Sequence, residues 1–192
     1  MSWSKKPGHR RGYHHGNLRE ALIEAALSLI AEKGPAGFSF AEAARAAGVT
    51  PAAPYRHFTD REDMLRAVAT DAKLRLAEAF RQATITHEHG SDAAIKAIGR
   101  AYLDFAVAQP NVFRLVFSIP DEGFCDLEAA GEECGAVVET EVAAYLGLPL
   151  EDPGVQKALA DIERSMASLR WSLGYRPVTD WDVAIQQSAR LE

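Results

Sequence analysis

Residues 39–62 read SFAEAARAAGVTPAAPYRHFTDRE, and this stretch decides the fold. Ser39 followed three positions later by Glu42 is a capping box, in which a hydroxyl and a carboxylate satisfy the free amides at a helix start. It predicts a short helix over 40–47. Gly48 ends that helix, because glycine enters the left-handed backbone region without a Cβ clash, and Val49 is expected to be buried in the turn. Thr50 is then expected to cap a third helix, with Pro51 at its first position, where a missing N–H costs little. Helix, glycine-centred turn, helix within about twenty residues is the pattern of a helix-turn-helix motif, whose second helix enters the DNA major groove. Such a helix needs small or polar residues outward and an apolar anchor inward. Thr50, Ala52, Ala53 and Arg56 take the outward face, with Pro51 beside them at the tip. Small side chains let the backbone approach the bases, and a threonine or alanine methyl fits against a thymine methyl. Arg56 suits either a guanine edge or a phosphate. Phe58 is assigned to the core, and Tyr55 is expected to pack its ring and point its hydroxyl outward. Ser39 is counted with the DNA-facing set.

Working outward, residues 1–16 lack helical periodicity and carry Lys5, Lys6, Arg10 and Arg11. They read as a basic arm, with Arg10 and Arg11 equally suited to a tail or to minor-groove contacts. Asn17 with Glu20 is a second capping box, opening a helix whose apolar stripe is Leu18, Ala21, Leu22, Ala25, Ala26, Leu29 and Ile30. Gly34 and Pro35 end it. Thr59 and Asp60 start a long fourth helix reaching about Ala83, with Leu65, Val68, Ala69, Ala72, Leu76, Ala79 and Phe80 inward. Residues 87–91, HEHGS, form a loop. Helices follow over 92–109, which Pro110 closes, then over 110–119 and over 126–146. Val155, Leu159, Ile162, Met166, Leu169 and Leu173 then recur in alternating steps of four and three, a heptad-like seam. Thr179 caps a last helix carrying Trp181 and Ile185. No strand pattern occurs. The expectation is an all-α chain of about nine helices, divided into an arm (1–16), a helix-turn-helix head (17–60) and a C-terminal domain (61–192).

The net charge of −6 hides an asymmetry. Residues 1–61 carry nine Lys or Arg against five Asp or Glu, while the remainder carries twelve against twenty-two. A basic end on an acidic body suits contact with a polyanion. Two cysteines without zinc spacing, no signal-like start and no membrane-length apolar run point to a soluble protein of a reducing cytoplasm. His87, Glu88 and His89 read as a solvated loop rather than a metal site, and His57 has no second ligand at a suitable spacing. No nucleophile motif or phosphate loop is present, so neither an enzyme nor a cofactor is expected.

Residues 17–68, and above all AGVTPAAPYRHFTDRE, resemble the N-terminal DNA-binding domain of the TetR-type regulators. The similarity covers about the first third of the chain. It implies that Tyr55 and His57 contact phosphate beside the groove, and that Arg61 meets the backbone with the N-terminal amides of its helix. One departure is Pro54, inside the third helix, where many members carry an aliphatic residue. At that position it removes a hydrogen bond to the carbonyl of Thr50, a loss the helix is expected to absorb near its start.

The resemblance further implies a ligand-responsive repressor that binds near-palindromic double-stranded DNA as a homodimer. The last two helices of such proteins form the interface, which here means the seam of Val155, Leu159, Ile162, Met166, Leu169 and Leu173 with Trp181 and Ile185. It also implies an apolar effector pocket, for which Tyr102, Phe105, Phe113, Phe117, Phe124, Met166 and Trp171 are the candidate lining. The Tyr102 hydroxyl, Arg114 and Arg170 are the polar groups available to orient a small hydrophobic or amphipathic effector. The competing reading is an all-helical ligand-binding or interaction protein whose head no longer reads DNA.

Overall fold

The computed structural model describes residues 18–119 and 125–174. Among these residues are seven α-helices, one 3-10 turn and no strand, so the all-α expectation holds; of the nine helices foreseen, the one beginning at Pro51 is replaced by the 3-10 turn. Arg10, Arg11, Asn17, Phe124, Trp181, Ile185 and the helix expected after Thr179 lie outside the described residues.

The chain divides into two compact units, the first comprising residues 18–72 and 108–119 among those described. It holds α1 (Leu18–Lys33), α2 (Phe40–Ala46), the 3-10 turn Pro54–Arg56, the opening of α3 (Arg61–Thr84) and α5 (Pro110–Val116). The core face of α1 is Leu22, Ile23, Ala26, Leu27 and Ile30. It is rotated from the expected stripe, leaving Ala21 exposed. Ile23 and Leu27 each bury far more apolar area than an alanine, and that difference sets the rotation. At the end of α1 the Gly34 amide donates to Ile30 O at 2.8 Å, and the Asn111 side chain of α5 donates to Ala31 O at 3.1 Å. These bonds satisfy carbonyls that a helix end leaves without partners. Phe38, Phe40 and Phe58 form the aromatic part of the core, with Phe40 edge-on to each of the others at 6.4 Å between ring centroids.

α3 starts where expected. Asp60 accepts the amide of Asp63 at 2.8 Å, and Asp63 accepts that of Thr59 at 2.9 Å. Within this unit α3 buries Met64, Leu65, Val68, Ala69 and Ala72.

The second unit comprises residues 73–107 and 125–174 among those described. It contains the rest of α3, nearly all of α4 (Asp92–Ala108), α6 (Cys125–Leu146) and α7 (Pro153–Ser172). Val142, Ala143 and Val155 form a core cluster, with Ile95, Val138, Ala158, Leu159 and Ile162 packed on it. α7 opens on a clear cap, Asp152 accepting the Gly154 amide at 2.7 Å with Pro153 at the first helical position.

The loop over 87–91 is anchored more firmly than its composition suggests. Glu141 of α6 is buried, and its two carboxylate oxygens pair with the Gly90 amide at 2.8 Å and His89 Nδ1 at 3.0 Å. Gly90 has φ +69°, and a Cβ there would lie 2.6 Å from Ala144. The side chains of His87, Glu88 and His89 remain exposed, and the described residues hold no cluster of metal-ligating groups. No helix among the described residues is long and apolar enough to cross a membrane.

Candidate nucleic-acid interface

The first half of the helix-turn-helix follows its sequence closely. Ser39 Oγ accepts the Glu42 amide at 3.3 Å and donates to Glu42 Oε2 at 3.1 Å, while Glu42 Oε1 pairs with Lys33 at 2.7 Å. That pairing raises the Lys33 pKa and lowers that of Glu42. The Ser39 hydroxyl is therefore engaged as a helix cap. At the other end Gly48 adopts φ +74°, its amide donates to Arg45 O at 3.1 Å, and the Val49 amide donates to Ala44 O at 2.9 Å. These two bonds with a left-handed glycine are a Schellman motif. Val49 is half-buried rather than buried.

The second half differs from the expectation. No regular third helix runs from Pro51 to Phe58; turns lead into a single 3-10 turn, Pro54–Arg56. In an α-helix the amide of residue 54 donates to Thr50 O, but proline has no N–H and its ring crowds that carbonyl. Thr50 O instead accepts the Ala53 amide at 2.9 Å, one residue early. The Arg56 amide donates to Ala53 O at 3.2 Å and the His57 amide to Pro54 O at 2.9 Å, both spaced three residues apart. The helix does not absorb Pro54; the proline changes its type.

Thr50, Pro51, Ala52, Tyr55, Arg56 and His57 are exposed, Ala53 is half-buried, and Pro54 and Phe58 are buried. Thr50, Ala52 and Arg56 of the expected outward face are exposed despite the change of helix type, while Ala53 is not. Phe58 is 2% exposed, as expected of a core anchor, and the Arg19 guanidinium lies 5.4 Å from its ring centroid. Tyr55 rests on the Phe40 ring at 4.9 Å between centroids and is otherwise open, at 66% exposure.

Arg61 is corrected. Its guanidinium turns inward: Nε donates to Phe38 O at 3.3 Å, and Nη2 donates to Pro35 O and to Ala36 O, the latter at 3.4 Å. It also lies 5.9 Å from the Phe38 ring centroid. Burial pushes its pKa below the usual arginine range, yet it stays charged, and three carbonyl oxygens suit a cation with five fixed donors. Arg61 thus ties the start of α3 to the α1–α2 corner. Arg45, exposed in the last turn of α2, is a cation to which sequence reasoning gave no role. A basic residue one turn before the glycine is the signal for it, since the first helix of such a motif crosses the DNA backbone.

The aromatic candidates for an effector pocket do not share one unit. Tyr102 and Phe105 are buried in α4 of the second unit, where Met166 is half-buried on α7 and Trp171 is 58% exposed. Phe113 and Phe117 belong to the first unit, with ring centroids 4.6 Å apart. Arg170 of α7 donates to the Tyr102 hydroxyl at 3.2 Å and pairs with Glu163 at 2.7 Å. Arg114 is exposed on α5. Along the seam Val155 is fully buried, Leu159, Ile162, Met166 and Leu169 are half-buried, and Leu173 is 48% exposed.

Two family models match. Residues 22–68 match that of the bacterial regulatory proteins of the tetR family, and residues 95–172 match a tetracyclin repressor-like C-terminal domain. Among solved structures, a protein of unknown function from Rhodococcus sp. RHA1 is 28% identical, with 95% of this chain and 96% of that one covered and a TM-score of 0.66. A TetR-family transcriptional regulator from Bordetella parapertussis 12822 is 19% identical, covering 92% and 94% of the two chains with a TM-score of 0.56. The fatty acid degradation regulator FadR from Bacillus halodurans is 16% identical, covering 93% and 95% with a TM-score of 0.54. The last two share the fold. The two family models together span more than half of the chain, which belongs to the TetR family of DNA-binding transcriptional regulators.

Proposed function

We propose that the protein is a homodimeric repressor whose heads each read half of a near-palindromic DNA site and which a small effector releases. The observation that carries the DNA-reading part is the outward run of Thr50, Pro51, Ala52, Tyr55, Arg56 and His57, held down by buried Pro54 and Phe58. Arg56 is the base reader, with Thr50 and Ala52 against the thymine methyls. Tyr55, His57 and Arg45 meet phosphate, and Arg61 positions the head without touching DNA. Ala53, half-buried, only lines the approach. Selection of duplexes from a random pool tests this reading. Wild type should enrich a palindrome and lose affinity steeply with salt, and Arg56→Ala should keep the salt slope within about one unit while losing preference at one position per half-site.

The effector site belongs to the second unit in this reading. Buried Tyr102 and Phe105 supply apolar walls, and the Tyr102 hydroxyl with Arg170 supplies a polar end. That combination suits an amphipathic compound. The ligand releases DNA only to the extent that it prefers the conformation unsuited to DNA. Dimerisation uses the C-terminal part of α7, where Met166 and Leu169 are half-buried and Leu173 is exposed. Screening amphipathic compounds for thermal stabilisation and for release from the selected duplex tests the effector. Compounds that stabilise without releasing DNA count against the repressor mechanism.

A further inference from the structure

We infer that Pro54 determines DNA specificity without contacting DNA, by holding the reading segment as a 3-10 turn and so fixing the direction in which Arg56 is presented. This rests on the proposal that residues 50–57 read DNA.

Thr50 O accepts the Ala53 amide, Ala53 O the Arg56 amide and Pro54 O the His57 amide. Ala53 keeps right-handed helical dihedrals, φ −64° and ψ −39°, so the chain remains helical in sense on entering the turn. What is missing is the amide at 54 that an α-helix needs for its bond to Thr50 O. The α-type spacing returns only after the proline, where the Phe58 amide donates to Pro54 O at 3.0 Å. Position 54 is therefore where the segment leaves α-helical geometry.

The consequence is geometric. A 3-10 turn advances about 120° and 2.0 Å per residue, against about 100° and 1.5 Å in an α-helix. Over the two steps from Pro54 to Arg56 the difference is about 40° and 1 Å. Functional side chains must be held to about 10–20° and 0.5 Å, so an α-helical segment would aim Arg56 at a different base edge or at a phosphate. Pro54 is itself buried and Phe58 anchors the far end, so the turn is fixed at both ends. Arg56 and His57 project between them.

Pro54→Ala and Pro54→Leu both restore an N–H at position 54. They differ in volume: alanine leaves space where the ring was, and leucine fills it. A change common to both therefore traces to the N–H rather than to packing. Amide hydrogen exchange of each variant in the full chain should show a protected amide at 54, bonded to Thr50 O. Selection from a random duplex pool should then yield a consensus altered at the Arg56 position, with relative affinity for the wild-type site reduced about ten-fold. The salt slope should shift by no more than about one unit, because only the contacts of the re-oriented segment change while Arg45 stays in place. Thermal melting of both variants identifies any loss of folding, and a variant that has lost its fold is set aside in favour of the other. If both variants fold, protect the amide at 54 and select the wild-type consensus, the inference is overturned. If the amide at 54 exchanges freely, it is overturned as well. Failure of the wild type to select any consensus would instead overturn the DNA-reading proposal on which it stands.

Discussion

The α1–α2 corner and the C-terminal half of α7 are both amphipathic helical pieces, yet they are completed in opposite ways. Around α2 almost every polar group has an internal partner: Ser39 and Glu42 cap the start, Gly48 and Val49 close the end, and Arg61 gathers the carbonyls of Pro35, Ala36 and Phe38. α7 begins in the same manner, with a cap at Asp152 and Val155 fully buried. Towards its end the apolar stripe opens, and Trp171 and Leu173 stand about half in solvent. The corner is finished by its own chain and needs only a surface to read. Among the described residues the end of α7 keeps apolar area exposed, which suits the proposed interface between two copies.

The strongest way to break this contrast is to place a charge on the open half of α7. Leu173→Asp should fold as a single chain, because the position is half exposed, but an unpaired carboxylate buried between two copies should weaken association by more than about a hundredfold. Sedimentation should show monomers, and binding to a palindromic duplex should fall with them. Ile162 is a poorer site for this test, since it packs on the Val142–Ala143–Val155 cluster and a charge there disturbs the unit itself. A Leu173→Asp dimer of wild-type affinity would place the interface elsewhere.

At the corner, Arg61→Ala should remove three charge-assisted hydrogen bonds at a partly buried site, costing about 2 kcal/mol. Thermal melting reads the loss. Arg61→Lys should recover only part of it, because an ammonium cannot reproduce the guanidinium fork. The salt slope of DNA binding should not change in Arg61→Lys, since the side chain is assigned no phosphate. A slope lowered by about one unit would return Arg61 to the DNA surface.

Ser39→Ala should cost about 1 kcal/mol through loss of the α2 cap. Chemical denaturation reads this smaller effect. Smaller again at neutral pH is the influence of Cys134, whose thiol donates to Lys73 O at 3.1 Å. Burial pushes its pKa up to about 11, while Cys125 is exposed. The folded state holds this proton more tightly than the unfolded chain does, so its contribution to stability is complete below the ordinary thiol pKa of 9.0 and fades as pH rises towards 11. At pH 8 an alkylating reagent should modify Cys125 and spare Cys134 in the native protein, as mass spectrometry of the labelled chain will show.

Sequence made the helical architecture and the motif legible because their determinants are local. Capping boxes, a left-handed glycine and the spacing of apolar residues each act within one or two helical turns. Arg61 and the 87–91 loop were not legible in this way. The partners of Arg61 lie more than twenty residues earlier, at Pro35, Ala36 and Phe38, and those of His89 and Gly90 lie some fifty residues later, at Glu141. A cation or a histidine on its own says nothing about which distant groups it will meet. Pro54 is intermediate: the lost hydrogen bond was foreseeable from one residue, but its outcome depended on whether Ala53 would take over the carbonyl of Thr50. That Phe113 and Phe117 fall in the first unit, and Tyr102 and Phe105 in the second, was likewise invisible to a pattern of aromatics.

The central proposal is that Arg56, with Thr50 and Ala52, reads DNA bases while Arg61 only positions them. Titration of the full-length wild type, Arg56→Ala and Arg61→Lys against a selected duplex and a scrambled one, over a range of salt, tests it most directly. The account predicts that all three proteins bind with similar steep salt slopes, that wild type and Arg61→Lys discriminate between the duplexes, and that Arg56→Ala loses about ten-fold or more of that discrimination. Full discrimination by Arg56→Ala, or its loss in a folded Arg61→Lys, would contradict it.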